Sequence, residues 1–191
     1  IITTIVLLLL LLLPINTIIN TTHKQTPVKM EAGGQSLLSA AREGDLNQVT
    51  RLVTEAGVDP NFQDGTSALH MACKNNHLDV VQYLVEKAQV DVHAVDLDGS
   101  TALHSACFSS EGDTLPLVKY LMEHAGLSES VDAKTIHGGY TPLHVAAWVK
   151  GNTDTVRYLV ETQNADLYTT NEHGRQPVYI ALHFDRCDKV E

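Results

Sequence analysis

One seven-residue phrase recurs four times along this chain of 191 residues. It reads SALHMAC from Ser67, TALHSAC from Thr101, TPLHVAA from Thr141 and QPVYIAL from Gln176. The histidine position, which becomes Tyr179 in the last copy, returns at intervals of 34, 40 and 35 residues. A nearly constant period of this size is typical of chains that stack copies of one small unit, because a single unit cannot bury its own apolar face. We therefore expect an array that acts through an extended surface.

A second phrase follows each copy and completes the unit. It reads VTRLV from Val49, VQYLV from Val81, VKYLM from Val118 and VRYLV from Val156. Valine followed by leucine three residues later places two apolar side chains on one face of a helix. A fainter first copy opens at Ser36, and Asp-Gly or Gly-Gly pairs between the units supply the positive backbone angles of tight hairpins.

Several residue types suit this geometry at defined positions. Thr141 is expected to cap a helix with its hydroxyl, and Pro142 suits the first helical position, where no backbone N–H is missed. Leucines should point into the core, alanines should let the paired helix approach, and glycine or asparagine should end the first helices in the left-handed conformation. The residues expected in these three roles are Leu69, Leu103 and Leu143; Ala72, Ala106 and Ala146; and Gly44, Asn76 and Gly151.

Together these features resemble the ankyrin repeat, and the resemblance covers residues 35–191. It implies an all-α fold, an ankyrin-repeat solenoid of stacked antiparallel helix pairs with connecting β-hairpin turns. The predicted repeat domain spans residues 30–191, with units at about 35–65, 66–99, 100–139, 140–174 and a truncated 175–191. The resemblance also implies that the repeated histidines His70, His104 and His144 are structural and bond backbone near the hairpins.

Departures from the regular period fall in the third unit. Compared with the second unit, it has three more residues between its helices, in the stretch from Phe108 to Pro116, and three more between Leu121 and His144. Insertions in repeat arrays map to loops on one face, often a binding face. Loops also tolerate extra length at little cost in free energy, so both interpretations stay open at this stage.

The sequence offers no catalytic or metal-binding pattern. There is no Gly-x-Ser-x-Gly, no phosphate-binding glycine loop and no His-Glu-x-x-His, so we expect no catalytic residue, no cofactor and no enzymatic activity. Equivalent histidines one repeat apart are too far from each other to share an ion whose nitrogen ligands lie near ~2 Å. The aspartates Asp96 and Asp98 are interpreted as turn residues. The remaining histidines are predicted to lie on the surface: His77, His93, His124, His137 and His173.

The two ends of the chain are unusual. Residues 1–29 contain an unbroken apolar run, Ile5 to Leu13, and the first methionine is Met30. Our preferred interpretation is that residues 1–29 are only a conceptual translation of untranslated sequence upstream of the true start, with a signal peptide or a membrane anchor as alternatives. After Ala181 the chain ends about where a second helix should begin, so we expect a fragment of a longer protein.

Charge and cysteine content restrict the partners. The formal net charge is −10, and residues 30–191 carry −12 because Lys24 and Lys29 precede them and all 23 acidic residues lie within them. Such a surface repels phosphate backbones, so nucleic acid is not an expected partner, and a membrane is one only if residues 1–19 form a translated anchor. Cys73 and Cys107 occupy equivalent core positions and cannot pair, which favours a cytoplasmic location.

Binding is therefore the remaining function. Aligned units place Arg42, Lys74, Phe108 and Trp148 in one column, and Glu43, Asn75, Ser109 and Val149 in the next. By the resemblance, these columns and the hairpin tips form a concave surface. Phe108 and Trp148 are expected anchors there, unless they fold over the neighbouring repeat. The predicted protein-binding residues are Lys74, Phe108, Trp148, Asn75, Val149, Gln63, Leu97, His137, Glu172 and Tyr140.

The sequence thus predicts a non-enzymatic module for protein–protein interaction, an adaptor or scaffold whose partner it does not identify. One alternative is the regulatory or targeting region of a longer enzyme, ubiquitin ligase subunit or channel. Another is a membrane-anchored array, which depends on residues 1–19.

Overall fold

The computed structural model describes residues 27–150 and 152–187. Helices follow one another in antiparallel pairs, as the period predicts. The α-helices are α1 (Pro27–Glu43), α2 (Leu46–Thr54), α3 (Ala68–Lys74), α4 (Leu78–Glu86), α5 (Ala102–Phe108), α6 (Leu115–Glu123), α7 (Pro142–Trp148), α8 (Thr153–Glu161) and α9 (Pro177–Cys187), with a 3₁₀ helix over Leu127–Ser130. No strand occurs in the described ranges, where pairing of extended backbone is confined to an isolated bridge between Gln63 and Ser67.

The chain divides into two units, residues 1–32 and residues 33–191. Structure is described in the first unit from residue 27 onward, and this part belongs to α1. The apolar run Ile5–Leu13, the sequence motifs before residue 27, Gly151 and Val190 lie outside the described residues. Across the described residues, no helix combines the length and the hydropathy that a membrane span requires.

In the second unit the helices form two layers. The first helices of successive pairs lie side by side, with α3 against α5, α5 against α7 and α7 against α9. In the other layer α2 packs on α4 and α6 packs on α8. The all-α solenoid predicted from the repeat is therefore confirmed.

One continuous core runs through the stack. Leu69, Leu103 and Leu143, at equivalent positions of α3, α5 and α7, are at most 1% exposed and belong to a single apolar cluster. The alanines at 72, 106 and 146 are buried beside them, as expected for residues that let the paired helix approach. Each fully buried leucine stabilises the array by about 2 kcal/mol relative to exposure, so the core depends on every unit having a neighbour.

The inner helices begin at hydroxyl caps. Thr141 accepts a hydrogen bond from the His144 backbone N–H, and Pro142 takes the first helical position, both as predicted. Ser67 and Thr101 cap α3 and α5 in the same way. These short helices have only seven residues each, so a cap contributing about 1 kcal/mol is a large part of their local stability.

The exits of α1 and α3 also agree with the prediction. Gly44 has φ +74° and Asn76 has φ +57°, the left-handed conformation in which glycine and asparagine are tolerated. The start of α1 differs, because this helix begins at Pro27, nine residues before Ser36. Gly34 makes that longer helix compatible with the core, since a Cβ there would overlap the Phe62 ring.

The first insertion in the third unit is a packing device. Its loop, residues 109–114, accepts hydrogen bonds through the Glu111 and Asp113 carbonyls from the Asn76 side chain, at 2.7 and 3.0 Å. On its other side the buried Thr114 hydroxyl donates to Asn152 Oδ1 at 2.8 Å. The insertion therefore joins the second, third and fourth units, which favours the structural interpretation of the extra length. The second insertion region contains the 3₁₀ helix, whose Leu127 is fully buried.

Candidate protein-binding groove

The hairpin turns are joined to one another along one edge of the stack. The Leu97 N–H donates to the Gly65 carbonyl at 3.0 Å, and the Ile136 N–H donates to the Asp98 carbonyl at 2.7 Å. Between the next two turns, the Glu172 N–H donates to the Gly138 carbonyl at 3.0 Å. Because these turns are joined through their backbones, the points from which their exposed side chains project have fixed relative positions.

The repeated histidines connect the helices to these turns. His70 Nε2 lies 3.0 Å from the Ser100 carbonyl oxygen, His104 Nε2 lies 3.0 Å from that of Tyr140, and His144 Nε2 lies 2.9 Å from that of Arg175. A carbonyl only accepts, so Nε2 carries the proton in all three rings. The structural role that the resemblance implied is confirmed. In the described part of the chain, no three histidine, cysteine or acidic side chains are grouped so as to hold a metal ion.

Burial lowers the pKa of all three histidines, against the smaller opposing effect of the acceptor carbonyl. In His104 and His144 the Nδ1 atom accepts from the backbone N–H of the capping threonine, at 3.2 and 3.1 Å. A second ring proton would face that N–H. Burial and these contacts therefore favour the neutral ring.

Side chains from α3, α5, α7 and two turns enclose an open groove of 380 Å³. It brings together five of the ten residues predicted to bind a partner, namely Lys74, Phe108, His137, Tyr140 and Trp148. Seven other described residues line it and were not among the ten, namely Asp96, Asp98, Ser100, His104, Ser105, Thr135 and Val145. Thus the column from the inner helices and the hairpin residues meet in one place.

The aromatic side chains of the groove are partly exposed, and two of them, Tyr140 and Trp148, meet edge to face. Phe108 is 50% exposed and Trp148 is 46% exposed. The Tyr140 ring lies 6.5 Å from the Trp148 ring, centroid to centroid, at an interplanar angle of 60°. Lys74 Nζ lies 5.1 Å from the centroid of Phe108, which is cation–π geometry. The rings therefore present both an apolar surface and a face that accepts positive charge.

The other five predicted residues lie outside the groove lining. The Asn75 side chain donates to the Met71 carbonyl of its own helix at 2.8 Å, and Val149 is the half-buried residue that ends α7. Gln63, Leu97 and Glu172 are exposed on the turns, Leu97 at 78%. Leu97 lies against Gly65 of the preceding turn, where a Cβ would be 2.8 Å from its Cδ1.

Two expectations from the aligned columns and the histidines need correction. Ser109 is 2% exposed and does not continue the exposed second column, because the inserted loop turns at this residue and its hydroxyl accepts from the Glu111 N–H. His77 is half-buried, and its Nε2 lies 2.9 Å from the Arg42 carbonyl oxygen. His77 therefore links α4 to the end of α1. The sequence feature that could have indicated this role is its position directly after Asn76, where α3 has ended.

The acidic turn of the groove combines a structural and an exposed carboxylate. Asp96 Oδ1 accepts from the Asp98 and Ser100 N–H groups, at 2.9 and 2.8 Å, so Asp96 does cap its turn as the sequence predicted. Asp98 is exposed at the tip. The spacing of the two aspartates could not show that both face the groove, because that depends on where α5 and the next turn lie.

The buried cysteines have no part in this surface. Cys73 and Cys107 are unpaired and fully buried, and burial raises the pKa of both thiols, that of Cys107 to about 12. A thiol with so high a pKa is almost entirely protonated near neutral pH and does not act as a nucleophile. Both are small core residues, as predicted.

Comparison with known proteins agrees with this geometry. The sequence model of a family described as "Ankyrin repeats (3 copies)" matches residues 37–129 and 109–191. The chain is 29% identical over 156 residues to the tyrosine-protein kinase HTK16 of Hydra vulgaris, which covers 80% of this chain and 20% of that protein. It is 34% identical over 147 residues to the palmitoyltransferase AKR1 of Lachancea kluyveri, covering 74% of this chain and 19% of the relative.

A third relative is the probable E3 ubiquitin-protein ligase XBOS32 of Oryza sativa subsp. japonica. It is 28% identical over 204 residues, which covers 75% of this chain and 40% of the ligase. The chain thus spans less than half the length of each of these three relatives. Since the family match extends over nearly all of the repeat region, and the helices stack as that match requires, the chain belongs to the ankyrin-repeat family.

Proposed function

We propose that this chain is a non-enzymatic module which binds a protein partner in the groove between α3, α5, α7 and the neighbouring turns. The observation that carries the proposal is the presence of two half-exposed aromatic side chains, Phe108 and Trp148, in the lining of the same groove. Partly exposed tryptophan and other large aromatic groups are frequent anchors of protein interfaces. The repeat core does not need them, since equivalent positions hold Arg42 and Lys74.

Rigidity supports the same proposal. The turn that carries His137 and Tyr140 is bound to the turn before it and to His104 of α5. A partner that docks here finds side chains already positioned, so binding loses less conformational entropy than on a mobile loop.

The test is affinity capture with a Phe108→Ala, Trp148→Ala double variant. Bound proteins are measured by quantitative mass spectrometry against the unchanged chain, with helicity followed by circular dichroism. Tyr168→Ala is the matched control, because Tyr168 is 78% exposed and does not line the groove. We expect the double variant to lose partners that Tyr168→Ala retains, at equal helicity. If the double variant retained every partner, the groove would not be the binding site.

A second candidate function is supported by the relatives. All three are proteins whose names state an enzymatic activity, and the chain matches a minor part of each. Under this alternative the repeats recruit a substrate or regulator for a catalytic region elsewhere in a longer protein. Sequencing the full-length transcript separates the two: a catalytic region in the same reading frame supports the targeting role, and an early stop codon supports a separate adaptor.

We propose that the module is cytoplasmic. The support is the pair of buried cysteines in reduced form, which suits a compartment that keeps thiols reduced. Fractionation of the native protein tests this placement, since recovery with membranes would favour the anchored alternative.

A further inference from the structure

An acidic wall and an aromatic wall both line the groove. The acidic wall consists of Asp96 and Asp98, on the turn that precedes α5, and the aromatic wall consists of Phe108 and Trp148, the last residues of α5 and α7. The backbone of Asp98 is held at both ends: its N–H donates to Asp96 Oδ1 at 2.9 Å, and its carbonyl accepts from Ile136 at 2.7 Å. The backbone that carries the exposed Asp98 carboxylate is therefore held in place at the groove.

Charge around the groove favours a cationic occupant. Lys74 is the one lysine or arginine among the described residues that line it, against two aspartates. Residues 30–191 as a whole carry a formal charge of −12, counted from 23 acidic and 11 basic residues. The position of Lys74 Nζ over the Phe108 ring shows that the aromatic wall already accepts a positive group. An anionic segment would instead be repelled by the Asp96 and Asp98 carboxylates.

The size of the groove limits what enters it. A volume of 380 Å³ lies near the lower end of the range for ligand sites, roughly 300–1,000 Å³, so it suits one or two side chains and excludes a folded element. Of the two common cationic side chains, arginine fits both walls. Its flat guanidinium stacks on aromatic rings and donates paired hydrogen bonds to carboxylates, whereas the lysine ammonium does not stack.

We propose that the groove takes an extended segment of a protein partner, which inserts an arginine side chain between the Asp96–Asp98 turn and the Phe108 and Trp148 rings. The proposal rests on the proposed function, because it assigns the chemistry of the segment that the same groove binds. Lys74 then opposes binding of this arginine, because it carries the same charge and competes for the Phe108 ring.

The probe is a phage-displayed library of random dodecapeptides, selected on the unchanged chain. Clones that depend on the groove are those lost on the Phe108→Ala, Trp148→Ala variant. We expect these clones to share an arginine. A representative peptide is then synthesised with a fluorescent label, both with arginine and with citrulline, which keeps the shape of arginine and removes its charge. Fluorescence anisotropy measures the affinities, and the citrulline peptide should bind about tenfold more weakly.

Variants of the protein test the acidic wall. The Asp96→Asn, Asp98→Asn double variant should bind the arginine peptide about tenfold more weakly. The asparagine that replaces Asp96 keeps a side-chain oxygen that caps the turn. Asp91→Asn with Asp166→Asn is the matched control, because both residues cap exposed turns and do not line the groove. This control should bind within about twofold of the unchanged chain. Lys74→Met should strengthen binding of the same peptide.

The outcomes separate this inference from the proposed function. Groove-dependent clones without arginine, equal binding of the citrulline peptide, or weaker binding by Lys74→Met would each overturn the arginine assignment and leave groove binding intact. If the unchanged chain selects no clones beyond those that the Phe108→Ala, Trp148→Ala variant also selects, both the arginine assignment and groove binding are contradicted.

Discussion

His104 Nε2 donates to the Tyr140 carbonyl oxygen at 3.0 Å, across 36 residues of sequence. The same ring accepts from the Thr101 backbone N–H through Nδ1. One neutral side chain therefore joins the start of α5 to the turn of the next unit. His70 and His144 repeat the link to the next turn in the flanking intervals.

Acid should destabilise the array through these rings. Burial lowers the pKa of His70, His104 and His144 in the folded state below the ordinary histidine value of 6.5. A group with a depressed pKa contributes stability that is present above pH 6.5, and that stability is lost as pH falls below this value. We expect the midpoint of urea unfolding to fall as pH is lowered from about 7 to 5.

A His104→Gln variant isolates the effect, because glutamine does not titrate. Its unfolding midpoint should be lower at pH 7 and should fall less than that of the unchanged chain as pH is lowered. An equal fall in both proteins would show that His104 does not contribute to the acid sensitivity.

Asn152 should be costly to truncate. Its amide donates to the Cys107 carbonyl at 2.9 Å and accepts from Thr114 at 2.8 Å, and all these groups lie in buried residues. Asn152→Ala removes both hydrogen bonds from a buried site, so we expect a loss of about 2–3 kcal/mol in the free energy of unfolding, measured with urea. Asn47→Ala, at an exposed position of α2, is the control and should change stability by less than about 0.5 kcal/mol.

Alkaline pH should weaken a pair of links in the other helix layer. The Tyr120 hydroxyl donates to Glu86 at 3.1 Å, and the Tyr158 hydroxyl donates to Glu123 at 2.8 Å. Burial, then the acceptor carboxylate, raises the pKa of each tyrosine from 10 to about 12. A raised pKa contributes stability that is complete below pH 10 and is lost as pH rises from 10 to about 12. Ultraviolet titration should find two tyrosines that ionise later than the others, and Tyr120→Phe with Tyr158→Phe should remove that late phase.

The glycine pair in α1 gives a sharp packing test. A Cβ at Gly34 would overlap the Phe62 ring, so Gly34→Ala should lower the free energy of unfolding by about 1–2 kcal/mol. Gly33→Ala is the matched control. Its Cβ would lie 3.0 Å from a Val58 methyl group, and the gain of up to about 1 kcal/mol in helix propensity offsets that contact. Thermal unfolding of both variants measures the difference in stability. Equal stability of the two would show that the Phe62 ring moves away from the added Cβ at little cost.

Much of the fold was predictable because it is local and repeated. The caps at Ser67, Thr101 and Thr141 and the buried leucines follow from a few neighbouring residues and from the period. The site was predicted less completely. Phe108, Trp148 and Tyr140 do share a groove, but Asp96 and Asp98 were interpreted as turn residues alone. Their orientation toward the groove depends on the next turn, which binds Asp98 through Ile136.

The amino-acid sequence alone determined the unit, its helix pair, its capping chemistry and its membership of a stacked array, since each of these depends on interactions within about ten residues or on simple repetition. The tertiary structure alone decided which side chains of different units meet. It buried Ser109, linked His77 to α1, joined Thr114 to Asn152 and brought the acidic turn and the aromatic wall into one groove. The physical reason is that these contacts form between neighbouring units, so small changes in loop length and helix start determine which residues face each other.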